Sequence, residues 1–236
     1  MANIIITGAS SGIGFEAVLD LTANKENKVI ALARSGDKLR KLHEIASSLN
    51  HDGGTLYPAQ FDIVFDNYPE SLVPFIQSKF DKVDILINNA GALINKPFME
   101  SSMEDIAHMF QSNLLGHIQM IKSIVPLMTD GGHIVNIGSM GGFQGSAKFP
   151  GLSAYSSSKG ALAILTECLA EELKDRNIKV NCLALGSSQT EMFETAFPGI
   201  EAGTLAFEMG RYIAEFAQNG SKYYNGKVLP VSNTTP

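Results

Sequence analysis

Short apolar runs recur along the chain at Ile4–Ile6, Val29–Ala33, Leu56–Phe61, Val83–Ile87, Ile134–Ile137, Val180–Leu185 and Lys227–Val231, and longer stretches of helical periodicity separate most of them. Strands that are apolar on both sides are those that helices cover on both faces. The pattern therefore predicts an α/β fold with a doubly wound, mostly parallel seven-stranded sheet and helices on both faces, in one domain spanning residues 1–236. The clearest helix is predicted from about Ser153 to Lys174, where Leu162, Leu165, Leu169 and Leu173 recur at spacings of three and four. The least regular stretch, about 189–210, holds the breakers Phe197-Pro198-Gly199 and Gly203 and is expected to form a flexible flap over a pocket.

Composition narrows the partners. A 44% hydrophobic content suffices for a core on both sides of a sheet. The net charge of -6, with no run of lysines or arginines, speaks against nucleic acid. The start, Met1-Ala2-Asn3 and three isoleucines, has neither the basic region nor the long apolar stretch of a signal peptide, and no apolar run reaches membrane-spanning length, so a cytoplasmic protein without a membrane partner is expected. Cys168 and Cys182 both fall in apolar patterns and are read as small core residues, and the scattered histidines and cysteines show no metal-ligand spacing.

The first strand runs into Thr7-Gly8-Ala9-Ser10-Ser11-Gly12-Ile13-Gly14, after which helical character begins. A strand, a glycine-rich turn and a helix N-terminus make a pyrophosphate site of the Rossmann type, because glycines let the backbone approach the ligand and unpaired N–H groups face the anion. Gly8, Ser10, Ser11, Gly12, Ile13 and Gly14 are the candidate phosphate contacts. At the end of the second strand, where such a fold reads the adenosine ribose, stands Ala33-Arg34-Ser35 in place of a carboxylate. Arg34 and Ser35 suit the 2'-phosphate of NADP(H), with NAD(H) as the alternative cofactor; a solvated arginine opening the next helix is the competing reading. In the second half, Ser153-Ala154-Tyr155-Ser156-Ser157-Ser158-Lys159 places Tyr155 and Lys159 four apart on one helix face. An ammonium beside a phenol favours phenolate and brings tyrosine towards the working range of an acid or base. The preceding strand ends at Asn136-Ile137-Gly138-Ser139, which puts a serine hydroxyl at the ligand-binding edge of the sheet.

Together these residues resemble the short-chain dehydrogenase/reductase family over nearly the whole chain. The family's Thr-Gly-x-x-x-Gly-x-Gly segment is met by Thr7 to Gly14, and its Asn-Asn-Ala-Gly segment by Asn88-Asn89-Ala90-Gly91. The resemblance implies a catalytic tetrad of Asn113, Ser139, Tyr155 and Lys159, the backbone carbonyl of Asn113 holding a water that contacts the lysine. It also implies that Asn88, Ala90 and Gly91 steady the sheet and the adenosine side of the cofactor, and it implies cofactor roles for Asp62, Gly186 and Thr190, and for Tyr155 and Lys159 on the nicotinamide side. Three departures stand out. Leu185-Gly186 replaces Pro-Gly after the sixth strand. The loop from Ser139 to Tyr155 is longer than the family's common spacing, with Ser146-Ala147-Lys148 as the insertion, and is expected to shape the substrate pocket. The tail Val231–Pro236 lacks the glycine pair common after the last strand.

The expected activity is hydride transfer between nicotinamide and a carbonyl or alcohol, with Tyr155 as general acid/base. One alternative is reduction of 3-oxoacyl groups on acyl carrier protein, which calls for a basic docking surface. The other is a dinucleotide-binding regulator without turnover. By the resemblance, a homodimer or homotetramer is expected, joined through the long helix from Ser153 and the helix before Gly131.

Overall fold

The computed structural model describes residues 1–50 and 53–233. Its strands are β1 (Asn3–Thr7), β2 (Lys28–Ala33), β3 (Thr55–Gln60), β4 (Val83–Asn88), β5 (Met128–Ser139), β6 (Lys179–Leu185), β7 (Ser188–Gln189), β8 (Thr204–Leu205) and β9 (Val228–Val231). Seven of them form one sheet in the order β3-β2-β1-β4-β5-β6-β9, every pairing parallel. Each predicted apolar run is one of these strands. Strand β5 begins at Met128 rather than Ile134: Met128 is buried and pairs with Val83, while the half-exposed Thr129 and exposed Asp130 and Gly131 interrupt the apolar signal.

The helices are α1 (Gly12–Ala23), α2 (Gly36–Leu49), α3 (Val73–Gln77), α4 (Met103–Phe110), α5 (Gly116–Ile124), α6 (Ser153–Glu172), α7 (Glu191–Ala196) and α8 (Ala206–Asn219). Helices α1, α2 and α8 bury Val18, Leu21, Leu42 and Ile213 against Ile4, Ile6 and Ile87 on one side of the sheet. On the other side α3, α5 and α6 bury Ile76, Ile121 and Ala170 against Ile5, Leu86 and Val180. This is the doubly wound arrangement the strand composition called for, and burial of both faces is its main stabilisation. No helix among the described residues is long and apolar enough to cross a membrane.

One expectation is corrected. Cys182 is buried, but Cys168 is exposed, because α6 turns Leu162, Ala163, Thr166 and Ala170 inward and leaves Ile164 and Cys168, four apart, on the opposite face. The stretch 189–210 is more regular than its breakers suggested. Thr190 Oγ1 accepts the Phe193 N–H at 3.1 Å to start α7, β7 pairs with β8, and the Glu208 carboxylate accepts the Leu205 N–H at 2.9 Å at the start of α8.

Candidate active site

Order in the sheet reverses at β1, with β2 on one side and β4 on the other, and at such a switch point the carboxyl ends of the strands open a crevice. The turn after β1 fits there for steric reasons. Gly8 and Gly12 have φ of 69° and 56°, which side chains other than glycine's adopt with strain. A Cβ on Gly14 would come within 2.3 Å of Asn89 Nδ2 and 2.4 Å of the Gly8 oxygen. Helix α1 then opens with Ser11 as N-cap and no side-chain cap bond, leaving its first N–H groups to a ligand.

The segment after β4 locks this turn. Asn89 Nδ2 donates to the Thr7 and Gly8 carbonyls at 3.0 and 3.1 Å, and Thr7 Oγ1 accepts the N–H groups of Asn89 and Ala90. Asn88 was expected to steady the sheet and the adenosine side of the cofactor: it ties β4 to β5 by donating to Asn136 Oδ1 at 2.9 Å, Asn136 in turn donating to Thr166 on α6, but it is fully buried and lies outside the cleft lining, so it makes no direct contact there. Successive strand residues face opposite ways, so only one of the Asn-Asn pair can reach the turn, and it is Asn89.

The ends of β2 and β3 contribute Arg34, Ser35 and Asp62 to the same cleft. Arg34 is exposed. Ser35 Oγ accepts the Lys38 N–H at 3.3 Å as N-cap of α2, which leaves its hydroxyl proton for another acceptor. Asp62 Oδ1 accepts the Val64 N–H at 2.8 Å. Lys38, unremarked in the sequence, also lines the cleft and makes a 3.0 Å ion pair across it with Glu191 of α7.

At the other end stand Ser139, Tyr155 and Lys159. Strand β5 ends at Ser139, whose Oγ accepts the Gly141 N–H at 3.1 Å. Helix α6 carries Tyr155 and Lys159 along the cleft wall. Lys159 is 5% exposed, and its ammonium donates to the Ile137 carbonyl at 2.7 Å. Burial pushes it down to about 8, with the nearby Cys182 opposing. The spacing of Tyr155 and Lys159 suggested a phenol lowered by the ammonium. Burial instead holds Tyr155 above its ordinary value, a hydrogen bond with Ser139 working against it.

Asn113 lies in a π turn, Gln111–Leu115, between α4 and α5. Its side chain is fully buried and committed: Oδ1 accepts the Ala92 N–H at 2.9 Å, and Nδ2 donates to the Ala92 carbonyl at 3.0 Å and to Ser158 Oγ at 3.1 Å. A Cβ on Gly91 would lie 2.9 Å from Asn113 Oδ1 and 3.6 Å from Lys159 Nζ, so these three residues adjoin. His117, another residue without a sequence signal, is buried beside them with Nε2 2.7 Å from the Ala90 carbonyl; burial first, and then the Lys159 charge, push it down to about 3, so it is neutral at working pH.

The glycine turn, Arg34, Ser35, Lys38, Asp62, Asn89–Gly91, Asn113, Ser139, Tyr155 and Lys159 line one cleft of about 960 Å³, which Gly186 and Thr190 close from the α7 side. A Cβ on Gly12 would meet Thr190 Cγ2 at 3.2 Å, so this side packs onto the glycine turn. The loop between Ser139 and Tyr155, expected to shape the pocket, contributes Met140, Phe149, Pro150 and Leu152 to its lining, while its Ser146-Ala147-Lys148 trio stands outside: Ser146 Oγ and Lys148 Nζ both turn back onto the Phe143 carbonyl. In the tail, Asn233 Nδ2 donates to the Gly203 carbonyl at 3.2 Å, while Thr234–Pro236 lie outside the described residues.

The family model for short chain dehydrogenases matches residues 2–201. The chain belongs to this family. It is an oxidoreductase of the short-chain dehydrogenase/reductase class. Among its relatives, the 3-oxoacyl-(acyl-carrier-protein) reductase FabG of Thermotoga maritima is 31% identical over 239 residues, covering 96% of this chain and 94% of that protein. Oxidoreductase BOA17 of Botryotinia fuckeliana is 31% identical over 189 residues, 79% of this chain and 65% of that protein. A short chain dehydrogenase of Escherichia coli, solved with NADPH, superposes with a TM-score of 0.85 at 26% identity, over 97% of this chain and 95% of that one.

Proposed function

We propose that this oxidoreductase interconverts a carbonyl and an alcohol with a nicotinamide dinucleotide, using Tyr155 as general acid/base and preferring NADP(H) to NAD(H). One observation carries the reading: Ser139, Tyr155 and Lys159 stand on the wall of the cleft whose other end is the uncapped N-terminus of α1. The residues fit the cofactor. Free N–H groups of α1 suit the pyrophosphate, and Arg34 with the Ser35 hydroxyl suits a 2'-phosphate. When bound, the nicotinamide supplies or accepts the hydride. In reduction, Tyr155 keeps its proton at neutral pH and delivers it to the developing alkoxide, and the Ser139 hydroxyl hydrogen-bonds the same oxygen. Lys159 offers a positive charge near this phenol and N–H donors to the nicotinamide ribose. Asn113, pinned between Ala92 and Ser158, holds the helix bend beside the lysine.

The likeness to the T. maritima enzyme favours a narrower second reading, reduction of 3-oxoacyl groups on acyl carrier protein. Association into a homodimer or homotetramer is part of the proposal, resting on Ile164 of α6 and on Met103 and Leu115 beside α4 and α5, all exposed. The test of function is a panel of aldehydes, ketones, diketones and 3-oxoacyl thioesters with NADPH or NADH, followed at the nicotinamide absorbance band. Turnover of at least one class, faster with NADPH, is expected. Tight cofactor binding with no turnover across the panel would favour a dinucleotide-binding regulator.

A further inference from the structure

Beyond Ser139 and Tyr155 the cleft changes character. Its walls there are Leu93, Met140 and Phe149 on one side and Met192, Phe193 and Ile200 on the other. Phe149, Met192 and Ile200 are 52%, 45% and 56% exposed, so three large apolar side chains that the fold leaves uncovered meet in this one cleft. Large apolar groups left in water at a concave site gain most from a ligand that covers them.

Charge selects further. Of the cations lining the cleft, Arg34 and Lys38 lie at the adenosine end, and Lys159 is buried against the Ile137 carbonyl. Of the carboxylates lining the cleft, Glu191 is paired to Lys38 at the adenosine end, and Glu201 stands beside Ile200 of the apolar wall. Residues 187–210 contain no lysine or arginine, and of their four glutamates Glu191 and Glu201 line the cleft, while Glu194 accepts a bond from Gln189 and Glu208 accepts the Leu205 N–H. The two lysines near the opposite wall are turned elsewhere. Lys96 pairs with Asp105 at 2.8 Å, and Lys148 bonds the Phe143 carbonyl at 2.6 Å and Ser146 Oγ at 2.7 Å.

We infer that the substrate is a neutral, largely apolar aldehyde or ketone, and that the cleft rejects carbonyl compounds carrying a negative charge. This rests on the carbonyl–alcohol reading above. An anionic group entering here loses hydration, meets the Glu201 carboxylate, and finds no cation lining the apolar end to pair with. The same charge pattern opposes acyl groups delivered on an acidic carrier protein or as coenzyme A thioesters.

Matched pairs that share one reacting carbonyl test this in the intact protein: ethyl benzoylformate against benzoylformate, and a 3-oxoacyl N-acetylcysteamine thioester against its coenzyme A thioester. The neutral member of each pair should have a kcat/KM higher by on the order of tenfold or more, the size of one unfavourable charge contact. Ile200→Lys, at a half-exposed position, should narrow that gap by improving the anion; Met192→Lys is the second variant should the first misfold. Equal use of both members, or preference for the anion, would overturn the substrate class while leaving the oxidoreductase reading intact. Failure of every compound despite cofactor binding would instead strike that reading, and this inference with it.

Discussion

Lys159 pays for its place in the cleft with desolvation, and this fixes how pH should act on it. Its ammonium is lowered from 10.5 to about 8, so between those values the unfolded chain holds more protons than the folded one. Stability from this group therefore rises as pH climbs from about 8, because the cost of burying the charge disappears. Activity moves the opposite way, since a neutral amine no longer supports the phenol. We predict that kcat/KM for the nicotinamide cofactor, which reports groups of the free enzyme, falls with rising pH above about 8; a profile flat to pH 10 would remove the lysine charge from the mechanism. At the far end of the cleft, Arg34→Ala should cost NADPH about ten- to a hundredfold in kcat/KM, the ~1.5–3 kcal/mol of a charged hydrogen bond, and leave NADH nearly unchanged. Equal losses with both cofactors would contradict Arg34 as the phosphate reader.

At the level of elements, the glycine turn and the Asn89 segment behave as one part. Gly14→Ala should push Asn89 off the Thr7 and Gly8 carbonyls, lowering stability by ~1–3 kcal/mol and weakening cofactor binding, as read by thermal melting and fluorescence titration. Unchanged melting and affinity would mean that the turn relaxes freely. The sequence made the strands legible because each buried strand is apolar throughout, and it located the turn, Ser139, Tyr155 and Lys159 because spacing alone sets them on the sheet edge or one helix face. What it hid depends on side-chain direction. Which of Asn88 and Asn89 meets the turn, that Lys38 reaches Glu191, and that Cys168 looks outward are decided by packing between elements far apart in the chain. The order within 189–210 was hidden for another reason: caps at Thr190 and Glu208 organise a stretch with too few apolar residues to show a period.

For the whole molecule, the parallel sheet places both halves of the proposed site at one edge, the glycine turn between β1 and α1 and the Ser139, Tyr155 and Lys159 group from β5 and α6. The outer face of α6 exposes Ile164 and Cys168, and sedimentation at micromolar concentration should show a dimer or tetramer, with Ile164→Asp shifting it towards monomer. A monomeric wild type would contradict the proposed association. The central claim is that one phenol moves the proton. The most direct measurement is turnover of an accepted carbonyl by Tyr155→Phe, paired with NADPH affinity by fluorescence titration. Deleting a single hydroxyl should abolish reduction while leaving cofactor affinity nearly unchanged; substantial residual turnover with cofactor bound would contradict the account.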